Sequence, residues 1–422
     1  MSEYSAPLED MLFVLEHVAN LPLLSTMSGF EHADVETVEG ILKEAARFME
    51  EQLAPLNRVG DEQGVHQIGD SIIHPDGFKE AYQRFVDAGW NGIAFGEEYG
   101  GGGLPWVVGL AVQEMLTASN MAFSLCPLLT QGAIDAISHH ADETLQEIYL
   151  PKMVTGEWTG TMNLTEPQAG SDVGALMTRA VPNEDGSYRI SGTKIYITYG
   201  EHEFSENIIH LVLARVPGAP PGTKGISLFI VPKFLVNDDG SLGERNDLRV
   251  LSSEHKIGIH ASPTCVMSYG DKDGAVGYLI GEENTGMRAM FTMMNNARLS
   301  VGLEGLALTD RSYQLAKKYA LDRHQGKALN SEVATGESSP IVDHVDVRRM
   351  LLTMRSNSEA MRCLMYANAA AIDFSKTVVD DEEKKSWESL AALLTPVSKG
   401  WGTDVGVEMT SLGIQVHGGM GY

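Results

Sequence analysis

Apolar residues recur at helical spacing in the N-terminal third of the chain. From Val38 to Leu53 they stand three or four positions apart, which places them on one face of a helix. Pro55 predicts the end of this helix, because a proline inside a helix removes a backbone hydrogen bond. The same spacing recurs from Phe78 to Val86 and from Leu110 to Leu116. The pattern therefore predicts a helical region.

Short apolar runs replace this pattern in the middle of the chain. Ile208 to Val216 and Ile226 to Leu235 are rich in β-branched residues and are bounded by Gly and Pro. The segment from Tyr188 to Thr198 predicts a strand, a turn and a second strand. Pro217 to Gly222 predicts a surface loop. We therefore expect a β-domain built from several short strands.

Helical spacing returns in the C-terminal third, from Met290 to Leu321 and from His344 to Phe374. The polar segment Gly326 to Ser339 predicts a loop between these helices. A last helix is predicted from about Trp387 to Leu412, with Pro396 as a kink or a boundary. The order of helices, strands and helices predicts an α+β fold and excludes the parallel α/β pattern.

These transitions divide the chain into four parts. They are an N-terminal extension (1–35), an N-terminal helical domain (36–160), a middle β-domain (161–281) and a C-terminal helical domain (282–422).

Charge narrows the classes of partner. The chain has 422 residues with 31 basic and 57 acidic side chains, a formal net charge of −26. Nucleic acids and anionic membrane surfaces attract clustered Lys and Arg, so we expect neither as the main partner. A local basic pocket for an anionic ligand remains compatible with this charge.

Cysteines and the N-terminus indicate the compartment. The three cysteines, Cys126, Cys265 and Cys363, are far apart and predict neither a disulfide framework nor a metal site. The apolar run from Met11 to Leu24 follows acidic residues, whereas a secretory signal begins with basic ones. No stretch is expected to be long and apolar enough to span a bilayer. We therefore expect a cytoplasmic protein.

The segment from Met162 to Gly174 combines residue types that suit a ligand loop. Thr165 and Ser171 supply hydroxyl groups, and Gly170 allows the backbone to approach a ligand closely. Backbone N–H groups in such a turn bind phosphate in many proteins. From the residues alone, a ligand loop and an ordinary turn both remain open.

Three segments together resemble the acyl-CoA dehydrogenase family. They are Thr-Glu-Pro-Gln-Ala-Gly-Ser-Asp at 165–172, Lys-Ile-Tyr-Ile-Thr at 194–198 and Gln-Val-His-Gly-Gly-Met-Gly-Tyr at 415–422. They occur in the family's order over most of the chain. Many relatives have Trp where Tyr196 stands, and Gln168 replaces a frequent Gly. The resemblance implies that family's fold, in which an N-terminal helical domain, a middle β-domain and a C-terminal helical bundle follow one another.

The same resemblance implies FAD as the cofactor. The residues it implies in FAD binding are Met162, Leu164, Thr165, Gly170, Ser171, Tyr196, Ile197, Thr198, Arg323, Gln415, Gly418 and Gly419. Tyr196, Ile197 and Thr198 would line the flavin ring, with Thr198 near its reactive nitrogen. Arg323 and the segment around Gln415 would reach the flavin of a neighbouring subunit, which implies a homodimer or homotetramer. The alternatives are that Tyr196 packs within the sheet and that Arg323 is simply solvated.

Substrate contacts are implied for Ser171, Asn295 and Arg298. Arg298 would reach the CoA portion, where a fixed cation suits an anionic ligand. Asn295 stands where the family usually has Asp. An interhelical salt bridge is the alternative role for Arg298.

Two further segments resemble the 3-(methylthio)propionyl-CoA dehydrogenase group within this family. They are Tyr4 to Leu15 and Ser253 to Cys265. That group also includes enzymes of broader short- and medium-chain acyl-CoA use. His255 and His260 lie in the second segment, and their spacing lacks the further ligands of a metal site, so we expect no metal.

The family's reaction needs a carboxylate base, and we predict no catalytic residue in this chain. In most relatives that Glu follows the Gly-Tyr segment, and Tyr422 is the last residue here. A minority place it just before the arginine matched by Arg298, where this chain has Ala297. Glu304 is a carboxylate on the same predicted helix, and a structural role is the alternative for it. We therefore expect a truncated chain or a fragment with an incomplete C-terminal bundle and exposed apolar surface.

The expected function is FAD-dependent α,β-dehydrogenation of an acyl-CoA thioester to the 2-enoyl-CoA. The substrate would be 3-methylthiopropionyl-CoA or a short- or medium-chain acyl-CoA, and an electron-transfer flavoprotein would accept the electrons. One alternative is a catalytically inactive FAD- or CoA-binding fragment or a partner subunit without the catalytic Glu. A second alternative is an acyl-CoA oxidase, which shares the first half-reaction.

Overall fold

The computed structural model describes residues 4–237, 239–329 and 336–422. Residues 330–335 of the predicted loop from Gly326 to Ser339 lie outside the described residues. The helices are α1 (Leu8–His17), α2 (Leu21–Leu24), α3 (Val35–Phe48), α4 (Ala54–Gln63), α5 (Phe78–Asp87), α6 (Trp106–Ser119), α7 (Met121–His140), α8 (Glu143–Thr155), α9 (Gly286–Asp322), α10 (Val345–Thr377) and α11 (Asp381–His417). The strands are β1 (His66–Ile68), β2 (Ser71–Ile73), β3 (Trp158–Asn163), β4 (Arg179–Pro182), β5 (Tyr188–Thr198), β6 (Asn207–Ala214), β7 (Ser227–Pro232), β8 (Phe234–Val236), β9 (Leu242–Arg245), β10 (Leu248–Ser253), β11 (Thr264–Tyr269) and β12 (Ala275–Ile280).

Pro55 does not end the first long helix, contrary to the prediction. Helix α3 begins at the cap Asp34, whose side chain accepts a hydrogen bond from the Thr37 N–H at 2.9 Å. A π-helical turn, Met49–Leu53, then leads directly into α4. Pro55 is the second residue of α4 and directly follows the π-helical turn, so the irregular turn accommodates a residue that has no N–H to donate.

Strand β5 is a single strand of 11 residues, so the predicted strand–turn–strand is wrong. Its first half pairs with β4 and β12, and its second half, from Gly192 onward, pairs with β11. The chain changes neighbours at this point without reversing direction. Gly192 permits this because a Cβ there would lie 2.4 Å from the Thr178 hydroxyl.

The main sheet has eight strands, and apolar cores cover both of its faces. Its order is β10–β11–β5–β12–β7–β6–β3, with β4 beside β5. All eight residues of β6 are buried. Ile209 and Leu211 belong to a cluster with α7 and α8, whereas Val212 and Phe229 belong to a second cluster with β5 and β11. Burial on both faces explains why the sequence of β6 is apolar without alternation.

The chain folds into two compact units, each built from separate segments. Unit 1 comprises Met1–Pro55, Leu104–Met121 and Arg298–Tyr422. Unit 2 comprises Leu56–Gly103 and Ala122–Ala297 and contains every strand of the described residues. The α+β fold class is confirmed by this mixture of helices and one large sheet.

Helix α7 corrects the expectation that no segment could span a bilayer. By length and composition alone, its 20 residues are apolar enough to cross a membrane. However, 78% of this stretch is buried inside the protein, as in the core helix of a globular protein. Its apolar composition reflects packing against the sheet.

Unit 1 is helical and contains a buried ionic cluster. Arg362 of α10 donates to the Glu114 carboxylate of α6, with its Nη2 2.6 Å from Oε1. Asp310 of α9 lies 3.6 Å from the same guanidinium, and the Tyr366 hydroxyl donates to Glu114 at 2.8 Å. Burial raises the pKa of Glu114 more strongly than Arg362 lowers it. The cluster joins three helices through charges that water does not reach.

Helices α9 and α11 cross at glycines. A Cβ on Gly305 would lie 2.0 Å from the carbonyl oxygen of Gly402, and one on Gly406 would lie 2.8 Å from the Cα of Gly305. The two backbones therefore approach more closely than any side chain would allow.

Candidate functional site

The loop between β3 and β4, residues 164–178, is held by one buried carboxylate. Glu166 is 3% exposed and accepts hydrogen bonds from the Met177 N–H (2.7 Å), the Thr178 N–H (3.0 Å) and the Thr178 hydroxyl (2.5 Å). The Gln168 amide donates to Oε2, the oxygen that the Met177 N–H also binds, at 2.6 Å. Glu166 thus ties the beginning of the 164–178 loop to its end.

Lys194 of β5 connects this loop to the sheet. Its ammonium group is completely buried and donates to Glu166 at 2.8 Å and to the Leu164 carbonyl at 3.0 Å. The next residue, Ile195, donates its N–H to the Thr165 carbonyl at 2.9 Å. The entry of the loop is therefore fixed against β5 by three hydrogen bonds.

Burial and pairing act in opposite directions on this ion pair. Burial disfavours an ionised Glu166, but the Lys194 charge and the hydrogen bonds outweigh it and lower the pKa of Glu166 to about 2. Burial lowers the pKa of Lys194 to about 8, although Glu166 opposes this shift. Both groups are charged at neutral pH, so the pair is a buried salt bridge.

Tyr196 lies on a β-bulge beside the loop. Cys265 and Met267 of β11 pair with Ile197 and Lys194, so Ile195 and Tyr196 together oppose the single residue Val266. The φ of Tyr196 is +60°, a left-handed conformation that is unfavourable for a non-glycine residue. Its side chain is 62% exposed, although it belongs to a strand of the main sheet. The bulge therefore presents an aromatic ring to solvent at a cost of about 1 kcal/mol.

The neighbouring predicted residues do not all face the same way. Ile197 is 2% exposed and packs in the core of unit 2, so its side chain is not available to line a ligand. Only the backbone of Ile197 is therefore available for the contact that the resemblance implies, which stays a prediction. Thr198 is half-buried at the end of β5. Met162 and Leu164 are half-buried and pack against the other apolar cluster of unit 2.

The tip of the 164–178 loop is polar and open. Gly170 and Ser171 are exposed, and Thr165 is half-buried. Among the described residues, the N–H groups of Gly170 and Ser171 have no protein acceptor. These two amides and the Ser171 hydroxyl form a set of donors that suits an anionic group.

Four of the residues predicted to bind FAD belong to unit 1 and follow the last strand by more than 40 positions. Arg323 is exposed directly after α9, and its carbonyl accepts the Ile341 N–H at 2.7 Å. Gln415 is exposed in the last turn of α11. Gly418 caps this helix with a φ of +58°, and Gly419 follows in a 3-10 turn. The positive φ explains why a glycine stands at this helix end.

Two of the predicted substrate residues, Asn295 and Arg298, and the two positions considered for a base lie on α9. Asn295 is exposed and Arg298 is half-buried, one helical turn apart. Ala297 packs against the apolar cluster of unit 2. Glu304 is 9% exposed, and burial raises its pKa to about 8, with Lys399 of α11 opposing the shift. Its Oε1 has no hydrogen-bond partner in the structure.

The histidines His255 and His260 face each other without forming a metal site. Their ring centroids are 5.7 Å apart, and the His260 Nδ1 lies 3.1 Å from the Asp61 carbonyl oxygen. In the part of the chain that the structure describes, no group of three or more His, Cys, Asp or Glu could hold a metal ion.

Sequence reasoning missed the pair Glu166–Lys194 as part of the site. Both residues belong to the two segments that carry the resemblance, so the signal was present in the sequence. The pairing itself was not visible, because it depends on a loop folding back onto a strand 28 residues later.

Comparison with known proteins places this geometry in a family. The acyl-CoA dehydrogenase N-terminal domain matches residues 36–157, the middle domain 161–271 and the C-terminal domain 284–422. The chain is 46% identical over 419 residues to the 3-methylmercaptopropionyl-CoA dehydrogenase of Ruegeria pomeroyi, covering 99% of this chain and 70% of that relative. It is 40% identical over 379 residues to a butyryl-CoA dehydrogenase of Syntrophomonas wolfei, covering 88% of this chain and 62% of that relative.

A solved structure supports the fold. The acyl-CoA dehydrogenase of Bacillus anthracis, complexed with FAD, matches with a TM-score of 0.74 at 24% identity, covering 92% of this chain and 60% of that one. The fold class predicted from the sequence and the resemblance to the 3-(methylthio)propionyl-CoA dehydrogenase group are both confirmed. The chain belongs to the acyl-CoA dehydrogenase family, whose members are FAD-dependent oxidoreductases that act on CH–CH bonds.

Proposed function

We propose that this chain binds FAD on the 164–178 loop and strand β5 and dehydrogenates a short acyl-CoA thioester. The observation that carries the proposal is the bulge at Tyr196. Its strained backbone exposes an aromatic ring beside the loop that carries the Gly170 and Ser171 N–H groups. Backbone strain at an exposed residue is characteristic of functional sites.

The residues of unit 2 fit a flavin. The open loop tip would hold the pyrophosphate through the Gly170 and Ser171 amides and the Ser171 hydroxyl. Tyr196 and Thr198 would border the ring system from β5, with Thr165 on the loop side. Ile197 would contribute only its backbone, because its side chain is in the core. When bound, FAD supplies the two-electron acceptor that the dehydrogenation of a CH–CH bond requires.

The protein's own part is binding and orientation. The acyl-CoA is anionic, and Arg298 supplies a half-buried cation for its CoA portion, with Asn295 and Ser171 as polar contacts. The relative from Ruegeria pomeroyi supports 3-methylthiopropionyl-CoA as the substrate, and the relative from Syntrophomonas wolfei supports butyryl-CoA. We favour the first, because that relative has the higher identity over a longer stretch.

The proposal includes two protein partners. An electron-transfer flavoprotein would take the electrons, as the family resemblance implies. A second copy of this chain would place Arg323, Gln415, Gly418 and Gly419 on a neighbour's FAD. Exposure of Leu393, Val407 and Ile414 on α11 supports association, because such apolar side chains favour burial between subunits.

Binding without turnover is the competing function. Ala297 favours it, since alanine accepts no proton at the position that carries the base in a minority of relatives. Glu304 does not replace it at neutral pH, because a carboxyl group with a pKa of about 8 is mostly protonated there.

One experiment separates these functions. The purified chain is loaded with FAD under anaerobic conditions and titrated with 3-methylthiopropionyl-CoA, butyryl-CoA and octanoyl-CoA. We expect stoichiometric FAD and a dimer or tetramer by analytical ultracentrifugation. Loss of the visible flavin absorbance with the first substrate shows dehydrogenation by this chain and requires an acceptor for the α-proton other than Ala297 and the protonated Glu304. A chain that holds FAD and is not bleached by any acyl-CoA is a binding protein, and a chain that holds no FAD contradicts the proposal. Peroxide formation in air would identify an oxidase.

The compartment is also a proposal. Three free cysteines, two of them buried, suit a reducing cytoplasm. Cell fractionation followed by immunodetection tests this, and recovery in the periplasm or culture medium would contradict it.

A further inference from the structure

Glu166 and Lys194 are the most deeply buried charges next to the proposed flavin wall. Their side chains are 3% and 0% exposed, and neither belongs to the residues assigned to FAD or substrate. A buried ion pair is costly to desolvate and contributes little net stability compared with apolar residues of similar size. Its position beside the site therefore calls for an explanation beyond packing.

We infer that Glu166 is a positioning residue that, together with Lys194, holds the 164–178 loop against the Tyr196 bulge and so preorganises the FAD site. The inference rests on the proposed function and deepens it by naming what fixes the geometry of the cofactor wall.

The hydrogen bonds of Glu166 show how one side chain controls the loop. The Met177 and Thr178 N–H groups bind it from the end of the loop, and Gln168 binds it from the tip. The exposed residues Gly170 and Ser171 lie between these attachment points. Glu166 and Ala169 also exchange two backbone hydrogen bonds of 3.0 Å, so the segment that carries the Gly170 and Ser171 amides is anchored on both sides.

Lys194 transmits this order to the bulge. It donates hydrogen bonds to the Leu164 carbonyl and to Glu166. It pairs with Met267 of β11 immediately before the register shift. At this register shift, the Ile195 N–H binds the Thr165 carbonyl. Loop and bulge are consequently parts of one hydrogen-bonded unit. A looser loop would place its amides and Tyr196 at varying distances from the same ligand.

The test compares four variants of the full chain. Glu166→Gln removes the charge and keeps the size, and Glu166→Asp keeps the charge on a shorter side chain. Thr178→Val removes only the 2.5 Å hydrogen bond to Glu166 and retains both charges, so it remains informative if Glu166→Gln does not fold.

Glu201→Gln is the matched control. Glu201 is a buried carboxylate of the same unit, 1% exposed, and pairs with Lys233 and Arg245, away from the 164–178 loop. Its loss is expected to lower thermal stability and to leave the FAD site unchanged.

Three quantities are measured on each protein. Hydrogen exchange of the apo-protein reports the Met177 and Thr178 amides, fluorescence titration gives the dissociation constant for FAD, and the visible spectrum of bound FAD reports its surroundings. For Glu166→Gln we expect faster exchange at both amides, an altered spectrum and FAD affinity about tenfold weaker. Glu166→Asp should recover part of this loss, and Thr178→Val should weaken FAD binding about threefold.

The outcomes are distinguishable. Wild-type protein that binds no FAD overturns the proposed function itself. Wild-type protein that binds FAD, with Glu166→Gln or the folded Thr178→Val equal to it in affinity and spectrum, overturns the positioning role alone. If Glu166→Gln and Glu201→Gln lose FAD affinity equally, the effect is general destabilisation, and the positioning role of Glu166 is overturned as well.

Discussion

Tyr196 shows how a single residue connects strain with function. Its φ of +60° is unfavourable for a tyrosine, and the residue is 62% exposed although the next residue, Ile197, is buried. Tyr196 does not belong to either apolar cluster described for unit 2. The conformational free energy that the positive φ costs is therefore best explained by a ligand that contacts the exposed ring.

Replacing Tyr196 by Gly tests this reading. Glycine adopts positive φ freely, so we expect the free energy of unfolding of the apo-protein to be unchanged or raised by up to about 1 kcal/mol. FAD binding should weaken at the same time. Chemical denaturation and FAD titration measure the two effects.

Tyr188→Gly is the control on the same strand. Tyr188 lies outside the left-handed region, packs on Phe229 with ring centroids 4.9 Å apart and donates to Glu283. We expect this change to cost about 2 kcal/mol and to spare FAD affinity. A comparable loss of stability in Tyr196→Gly would contradict the strain at Tyr196.

At the scale of single residues, the sequence predicted which segments lie side by side better than it predicted how their side chains are oriented. Thr165, Ser171 and Tyr196 lie on one loop and the adjacent bulge, as the resemblance implied. The burial of Ile197 and the pairing of Glu166 with Lys194 depend on the register between β5 and β11. Register is a property of two strands, and a motif on one strand does not contain it.

Among the elements, the crossing of α9 and α11 is fixed by backbone contact. Gly305 and Gly402 touch, whereas Gly400, on the same helix α11, has no atom within 4 Å of its Cβ position. The two kinds of glycine predict opposite responses to the same substitution.

Gly305→Ala should destabilise the protein by about 3 kcal/mol, because its methyl group would overlap the Gly402 carbonyl. Gly400→Ala should stabilise it by about 0.5–1 kcal/mol, since alanine has the higher helix propensity and meets no neighbour. Thermal and chemical denaturation measure both. Equal effects of the two substitutions would mean that the helices do not cross at these glycines.

Element boundaries were predicted where local chemistry determines them and missed where neighbours do. The long helices of the C-terminal third follow from their apolar spacing alone. The continuation through Pro55 and the unbroken β5 depend on a π-helical turn and on a change of strand partner. Neither the π-helical turn nor the change of strand partner produces a recognisable spacing of apolar residues in its own segment.

On the scale of the whole molecule, buried carboxyl groups should make stability fall as the pH rises from about 6.5 toward 8. Burial raises the pKa of Glu304 to about 8 and that of Asp373 to about 7, and it also raises the pKa of Glu114. The folded protein therefore retains protons at these groups that the unfolded chain has lost above about pH 4.5. Burial lowers the pKa of His74, His202 and His210, which opposes this trend below their ordinary pKa of 6.5, so the net fall is expected above that pH.

Glu304→Gln isolates one of these groups. The amide carries no ionisable proton, so the variant should lose part of the pH dependence and exceed the wild type by roughly 2–4 kcal/mol at pH 8. At pH 4 the two proteins should be close in stability. Denaturation curves across this range measure the difference, and a gap that does not widen with pH would contradict the raised pKa.

The segmented construction of the two units has a consequence for synthesis on the ribosome. Helix α6 is buried on nearly every side, and its partners in unit 1 include α10, which is translated much later. All of unit 2 leaves the ribosome before α10 does. The sheet is therefore able to fold at a time when α6 still lacks its partner α10. During that interval α6 displays an apolar surface that water does not solvate well. A ribosome that stalls once residue 297 has left its exit tunnel, before α10 has emerged, would carry a complete sheet and an exposed α6, which is the kind of nascent chain that chaperones retain.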